Sequence, residues 1–218
     1  MGHKIDPSLI PLKPNLDFET AFWQAGIQMV GGIDEAGRGA LAGPVVAAVV
    51  ILIPNSERNR SLDGVQDSKR MTPLQREKWR PRIQAETWGW GVGFASSHEI
   101  DFIGIVPATR IAAQRALNEL LSPPEHLLLD YLQLPNNPIP QTWLVKGDSR
   151  SLSVAAASIL AKTARDDHLR QLEKKHPGYG LASHKGYGTK AHFRAIQELG
   201  PSAIHRMTFA PMCLTEKR

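Results

Sequence analysis

The sequence predicts an α/β fold built on a mixed sheet, and three observations lead there. Residues 45–53 form a β-branched, almost continuous apolar run, the pattern of a strand covered on both faces. Such runs alternate along the chain with stretches of helical periodicity, the order that sets helices against a sheet. Residues 88–94 alternate large apolar side chains with Gly89, Gly91 and Gly93, so one face of that strand is bare and another backbone can approach it closely.

The elements follow in order. A first strand is expected over residues 28–34, joined to residues 45–53 by the Gly-rich turn Gly37 to Gly43. Thr72, Pro73 and Gln75 make a capping box with proline at the first helical position, so a helix starts there and runs to about residue 84. Pro107 opens a helix to about residue 121, with Ala108, Ile111, Ala112, Leu117 and Leu120 on one side, and Pro123 and Pro124 stop it. Residues 127–132 and 142–145 are short apolar strands. A long helix over residues 151–175 is Ala-rich in its first half and charged in its second, and a loop rich in Gly, Tyr, His and Lys (178–188) leads to a last helix over residues 190–199. Residues 1–27 are expected as an N-terminal extension and 28–218 as one domain, a size that buries a core without disulfides or structural metal.

Composition excludes several classes. Hydrophobic residues at 42% and charged residues at 22% are ordinary globular values, so collagen-like, coiled-coil and disordered readings fall away. The single cysteine, Cys213, can form neither an internal disulfide nor a cysteine zinc site, which favours a reducing compartment. No apolar stretch of signal-peptide kind stands near the N-terminus, and the longest uncharged run, residues 39–56, is broken by Pro44 and Pro54 and reads as a strand rather than a membrane span. A cytoplasmic monomer is the expectation. The net charge of +5 is concentrated: residues 162–218 hold 11 basic and 5 acidic side chains, whereas the rest of the chain is nearly balanced. That distribution fits a polyanionic partner such as nucleic acid.

Four carboxylates stand at element ends. Asp34 and Glu35 close the first strand immediately before Gly37, Arg38 and Gly39. Adjacent strand residues face opposite ways, so both acids serve one site only if the backbone leaves the strand at Glu35; a solvated turn capped by aspartate is the other reading. Asp130 interrupts an apolar run, where a bare carboxylate is costly, and a metal, an arginine or backbone amides would each compensate it. Asp148 precedes the helix at 151 as an N-cap would, a role compatible with ligation. Without Cys or His at zinc spacing, these four acids point to hard oxygen ligation and hence to Mg²⁺ or Mn²⁺. On the basic side, Asp67 to Arg82 holds six basic and two acidic residues, and Tyr187 sits between Lys185 and Lys190. These runs are either solvated faces or tracks for a phosphate backbone, and the tyrosine either packs in the protein or stacks on a sugar or base.

Taken together the motifs are more specific. Gly32-Ile33-Asp34-Glu35-Ala36-Gly37-Arg38-Gly39, Leu41-Ala42-Gly43-Pro44, Asp67-Ser68-Lys69, Gly147-Asp148-Ser149 with Ala155 to Lys162, and His184-Lys185-Gly186-Tyr187-Gly188-Thr189 occur in the order seen in ribonuclease HII. The chain resembles that family from about residue 30 to residue 209. Two positions depart from the family's pattern: Ala40 stands where proline usually follows Gly-Arg-Gly, which should loosen the turn modestly, and Asp130 lacks the glycine often found next.

The resemblance implies an RNase H-like fold, a mixed five-stranded sheet flanked by helices with a C-terminal helical segment. It implies an endonuclease that cuts the RNA strand of RNA–DNA hybrids and also incises duplex DNA at single embedded ribonucleotides. Asp34, Glu35, Asp130 and Asp148 match the family's catalytic, metal-binding acids, served by Mn²⁺ or Mg²⁺. Gly37, Arg38 and Gly39 match the segment that reads the ribose 2′-hydroxyl and holds the adjacent phosphate, Tyr187 the tyrosine that packs on the following deoxyribose, and Lys69 a phosphate contact. A non-catalytic nucleic-acid-binding module and a small-molecule phosphatase remain the competing readings. The ribonuclease HIII type carries an extra N-terminal domain, for which the residues before Gly31 are too few.

Overall fold

The computed structural model describes residue 6 and residues 10–212; Cys213 and the beginning of the expected extension lie outside the described residues. Five strands form one mixed sheet: β1 (Val30–Ala36), β2 (Val45–Ile51), β3 (Gly89–Ala95), β4 (His126–Asp130) and β5 (Gln141–Leu144). Their order is β3-β2-β1-β4-β5, with β2 antiparallel to both β1 and β3, and β4 parallel to both β1 and β5. This is the mixed α/β architecture that the alternating pattern predicts.

The sheet is covered on both faces, as the fully buried β2 requires. On one face Val45, Ala47 and Val49 pack with Ile33, Leu127 and Leu129 against α4 (Ile105–Asn118). On the other, Ala48 and Val50 meet Ala156 and Leu160 of α5 (Leu152–Lys175) and Ile83 of α2 (Pro73–Glu86). α2 begins at the expected capping box, with reciprocal bonds between Thr72 and Gln75.

The bare face of β3 is used by α4. A Cβ at Gly91 would lie 2.1 Å from the Ala116 carbonyl oxygen, and one at Gly93 would lie 2.1 Å from that of Ala112. α4 starts at Ile105, two residues before Pro107, and is preceded by α3 (Ser97–Ile103), an element the periodicity does not reveal. The signal for α3 was nonetheless present: Ser96 and Glu99 form a capping box three residues apart.

Part of the expected extension is structured. Its α1 (Asp17–Gln24) inserts the fully buried Glu19 at the start of α5, where Oε1 accepts bonds from Ser151 Oγ at 2.6 Å, Ser153 N at 2.9 Å and Ser153 Oγ at 2.6 Å. A carboxylate at a helix N-terminus meets the positive end of the helix dipole, and α1 thereby fixes where α5 begins. Two short helices, α6 (Leu181–His184) and α7 (Lys190–Leu199), complete the C-terminal segment. No helix among the described residues is long and apolar enough to cross a membrane.

The contact between α4 and β3 leaves no room for a methyl group. Gly93→Ala should lower the free energy of unfolding by about 3 kcal/mol, the upper part of the range for overpacking. A urea-unfolding midpoint equal to that of the wild type would contradict it.

Candidate active site

The parallel pairing of β1 and β4 creates the site. Ile33 lies opposite Leu129, so the next residues, Asp34 and Asp130, stand side by side at the carboxyl ends of adjacent strands. Asp148 enters from the 3₁₀ turn Gly147–Ser149 that links β5 to α5. Carboxylate oxygens of Asp34, Asp130 and Asp148 all lie within 4.8 Å of one another. Gly32 makes this possible on the α5 side, because a Cβ there would fall 2.4 Å from the Ser153 carbonyl carbon, the Ser153 hydroxyl and Val154 N; without one, the start of α5 can pack against β1.

Asp148 does not cap α5: Ser151 is the N-cap and its side chain accepts from Val154 N. The carboxylate instead pairs with Lys69 Nζ at 3.2 Å. Asp130 accepts the Gly147 N–H at 2.8 Å, so a backbone amide supplies part of the compensation that its apolar strand demands.

Glu35 is placed differently from its neighbours. Pairing with β2 runs on through Glu35 and Ala36, so the backbone does not leave the strand there, and Glu35 stays outside the 4.8 Å group. Its Oε1 accepts from Arg38 at 3.2 Å, while the buried Oε2 has no hydrogen-bond partner. An orphaned carboxylate oxygen beside three converging acids suits a cation.

The electrostatics are those of crowded negative charge. Burial, then Glu35, Asp130 and Asp148, push the Asp34 carboxyl well above the usual range. Burial and the charge of Asp148 raise Asp130 to about 6, against the opposing bond from Gly147. Burial raises Glu35 despite Arg38 and Lys69. Asp67, which the sequence reading passed over beside Lys69, is raised by burial and by Asp148. Burial works against the Lys69 ammonium, but Asp148, Asp34 and Asp67 together hold it firmly protonated.

Two buried arginines, to neither of which the sequence assigns a role, shape the turn beside these acids. Arg206 donates to the carbonyls of Gly37 at 2.7 Å, Arg38 at 2.8 Å and Gly43 at 3.0 Å. Arg165 donates to those of Pro44 at 2.9 Å, Ala42 at 3.0 Å and Lys185 at 2.9 Å. Gly37, at φ +93°, must lack a Cβ because Arg165 Nε would lie 1.9 Å from it. At Gly39 a Cβ would meet nothing within 4 Å, so packing inside the protein does not explain that glycine. Ala40 N donates to Gly37 O at 3.3 Å, a bond that proline cannot make, which offsets the expected loosening.

The basic residues divide into two groups. Besides Arg165 and Arg206, Arg76 is buried against Asp166, Arg80 pairs with Asp167, and Arg170 pairs with Asp167 and Glu77. Arg76, Arg165 and Arg206 are therefore structural rather than a track for phosphates, whereas Arg80 and Arg170 remain partly exposed in their pairs.

The loop carrying Tyr187 docks on the same turn through Gly186, whose carbonyl accepts from Leu41 N at 2.8 Å. The Tyr187 ring is partly exposed, with the Arg165 guanidinium 5.4 Å and Lys162 Nζ 5.6 Å from its centroid. Histidines hold the loop from behind. Ser202 N donates to His205 Nδ1 at 3.0 Å, which leaves the His205 proton on Nε2, facing His192 Nε2 at 3.1 Å. His192 then carries its proton on Nδ1 and donates to the Tyr187 carbonyl at 3.0 Å.

A mixed sheet with carboxylates gathered near the ends of two adjacent parallel strands defines the class: an α/β protein of the RNase H-like fold with an acidic centre suited to divalent cations. The crystal structure of ribonuclease H2 from Pyrococcus horikoshii matches with a TM-score of 0.71 at 28% identity, over 87% of this chain and 97% of that one. The family model for ribonuclease HII matches residues 31–212. Ribonuclease HII of Geobacillus kaustophilus is 48% identical over 195 residues, covering 89% of this chain and 73% of the relative. That of Roseiflexus castenholzii is 49% identical over 201 residues, covering 92% and 90%. The chain belongs to the ribonuclease HII family, a family of metal-dependent endoribonucleases.

Burial, followed by the charge of His192, lowers the His205 ring to about 4. A depressed basic group contributes stability that is complete above its unfolded value of 6.5 and is lost as pH falls through about 4. NMR titration should place the His205 midpoint near 4; a midpoint at the ordinary histidine value would refute the neutral relay behind Tyr187.

Proposed function

We propose that this chain hydrolyses the RNA strand of RNA–DNA hybrids and incises duplex DNA on the 5′ side of a single embedded ribonucleotide, leaving 3′-hydroxyl and 5′-phosphate ends. The observation that carries this reading is the convergence of Asp34, Asp130 and Asp148 directly beside the Gly37-Arg38-Gly39 turn. Asp34, Asp130 and Asp148, with Glu35 completing the set through its unpartnered oxygen, would hold two divalent cations, Mn²⁺ or Mg²⁺. Such cations supply charge for the scissile phosphate, activation of water for in-line attack and stabilisation of the leaving 3′ oxygen.

The remaining groups recognise and orient. The glycines of the turn let backbone groups come close to a ribose, and the 2′-hydroxyl is the atom that separates RNA from DNA. Arg38 and Lys69 are each engaged by an acid of the site, Glu35 and Asp148 respectively. A phosphate entering between them exchanges those pairs for charge-assisted bonds to its own oxygens. Tyr187, fixed by the histidine relay, packs on the deoxyribose that follows the ribonucleotide. The enzyme acts in the cytoplasm as a monomer.

An end-labelled duplex containing one ribonucleotide, incubated with Mn²⁺, Mg²⁺ or chelator beside an all-DNA control, tests the reaction. A cation-dependent cut confined to the ribonucleotide supports it, and binding without a cut would return the chain to a binding module.

Asp34→Asn should reduce cleavage by more than the roughly 10–100-fold cost of losing an outer-shell partner, while duplex binding persists. With chelator present the same variant should melt above the wild type, because it removes one charge from the crowded acids; divalent ions should raise the melting temperature of the wild type and much less that of the variant. Tyr187→Ala should cut a lone ribonucleotide and a continuous hybrid with more nearly equal kcat/KM, and full retention of the preference would remove Tyr187 from recognition.

A further inference from the structure

We propose that a cleft flanking the carboxylates, formed by Arg38, Arg110, Tyr131 and Trp143, binds one deoxyribose-phosphate unit of the substrate, a subsite distinct from the Tyr187 contact. The inference rests on the duplex substrate proposed above and extends it beyond the turn and the acids.

The cleft has a volume of about 360 Å³, within the size of small-ligand sites. It is continuous with the site on two sides: Arg38 belongs to the Gly-Arg-Gly turn, and Tyr131 directly follows Asp130. Both rings are solvent-accessible, Tyr131 at 53% and Trp143 at 44%, although burial of rings this large would be favourable. Tyr131 also adopts φ +53°, a left-handed conformation unfavourable for an aromatic residue. Its neighbours enforce that backbone: Tyr131 N donates to Leu144 O at 3.0 Å, and Asp130 accepts from Gly147 N. Strain of this kind, held beside an acid of the site, is characteristic of functional positions.

The chemistry selects the occupant. The Arg110 guanidinium, anchored by the bond from its Nε to Gln133 O at 2.9 Å, keeps its remaining donors for a phosphodiester oxygen, while Arg38 forms the wall shared with the acidic site. Ring faces take up the C–H surface of a sugar, and deoxyribose suits them better than ribose because a 2′-hydroxyl pressed on a ring would lose its water without gaining a partner. The unit comes either from the strand that is cut or from its complement, and both are DNA around an embedded ribonucleotide.

Steady-state cleavage of a duplex with one ribonucleotide should show KM raised about tenfold by Trp143→Ala, the scale of one lost aromatic stacking contact, with kcat changed less than about twofold. Arg110→Ala should act alike, and Trp143→Phe should restore most of the loss. Methylphosphonate replacement, moved one linkage at a time along each strand, should find one position where neutralisation costs the wild type about tenfold and Arg110→Ala nothing further; that position names the phosphate and the strand. Near-UV circular dichroism confirms that the variants are folded. A wild type that fails to cut defeats the proposed reaction itself. A wild type that cuts, beside folded variants with unchanged KM or with the loss confined to kcat, overturns the subsite alone, as does a methylphosphonate scan in which Arg110→Ala is penalised at every position where the wild type is.

Discussion

The burial of two guanidiniums against backbone carbonyls is the constraint on which the rest of this site depends. Arg165 and Arg206 are both fully buried, and every hydrogen bond described for them goes to a carbonyl rather than a carboxylate. Withdrawing two like charges from water is expensive, and the cost shows in Arg206, which burial and then Arg165 lower to about 9. Only arginine suits the task, because its rigid fork of five donors can satisfy several carbonyls at once, whereas an ammonium offers three from a point. The return is rigidity. Residues distant in sequence, the turn after β1, the middle of α5, the Tyr187 loop and the segment after α7, are tied to one another at their backbones.

A complementary constraint acts at the acids. Parallel register puts Asp34 beside Asp130, and closure of α5 over Gly32 brings Asp148 to them. The upward shifts of Asp34, Asp130 and Glu35 begin with burial, and at Asp34 and Asp130 the charge of the neighbouring acids adds to it. Lys69 and the Gly147 amide relieve that charge in part. The same fold thus holds positive charge buried on one side of the turn and negative charge gathered on the other, with Gly37 to Gly39 as the accessible backbone between them.

Much of the fold was legible because its signals are local. Capping chemistry marked α2, Pro107 in its first turn and the Pro123–Pro124 pair beyond its end marked α4, and alternating glycines announced a close approach that α4 supplies. α3 escaped because seven residues are too short to display a period, though its Ser96–Glu99 box was readable. α1 escaped because its partners are distant in sequence: Glu19 bonds Ser151 and Ser153, more than a hundred positions away, and Phe18, Phe22 and Trp23 pack against the core.

For the site, the sequence by itself determined the order of the motifs, the identities of the four acids, the glycine turn and the tyrosine, since each is a matter of residue type and near neighbours. Only the tertiary structure decided which acids meet. Strand register set Asp34 with Asp130, while Glu35 lies outside the 4.8 Å group with one oxygen on Arg38 and the other unpartnered. It also decided the meaning of the basic residues. Charge counted along a chain cannot distinguish an arginine awaiting phosphate from Arg165 or Arg206, whose roles exist only once distant carbonyls are folded within reach of a hydrogen bond.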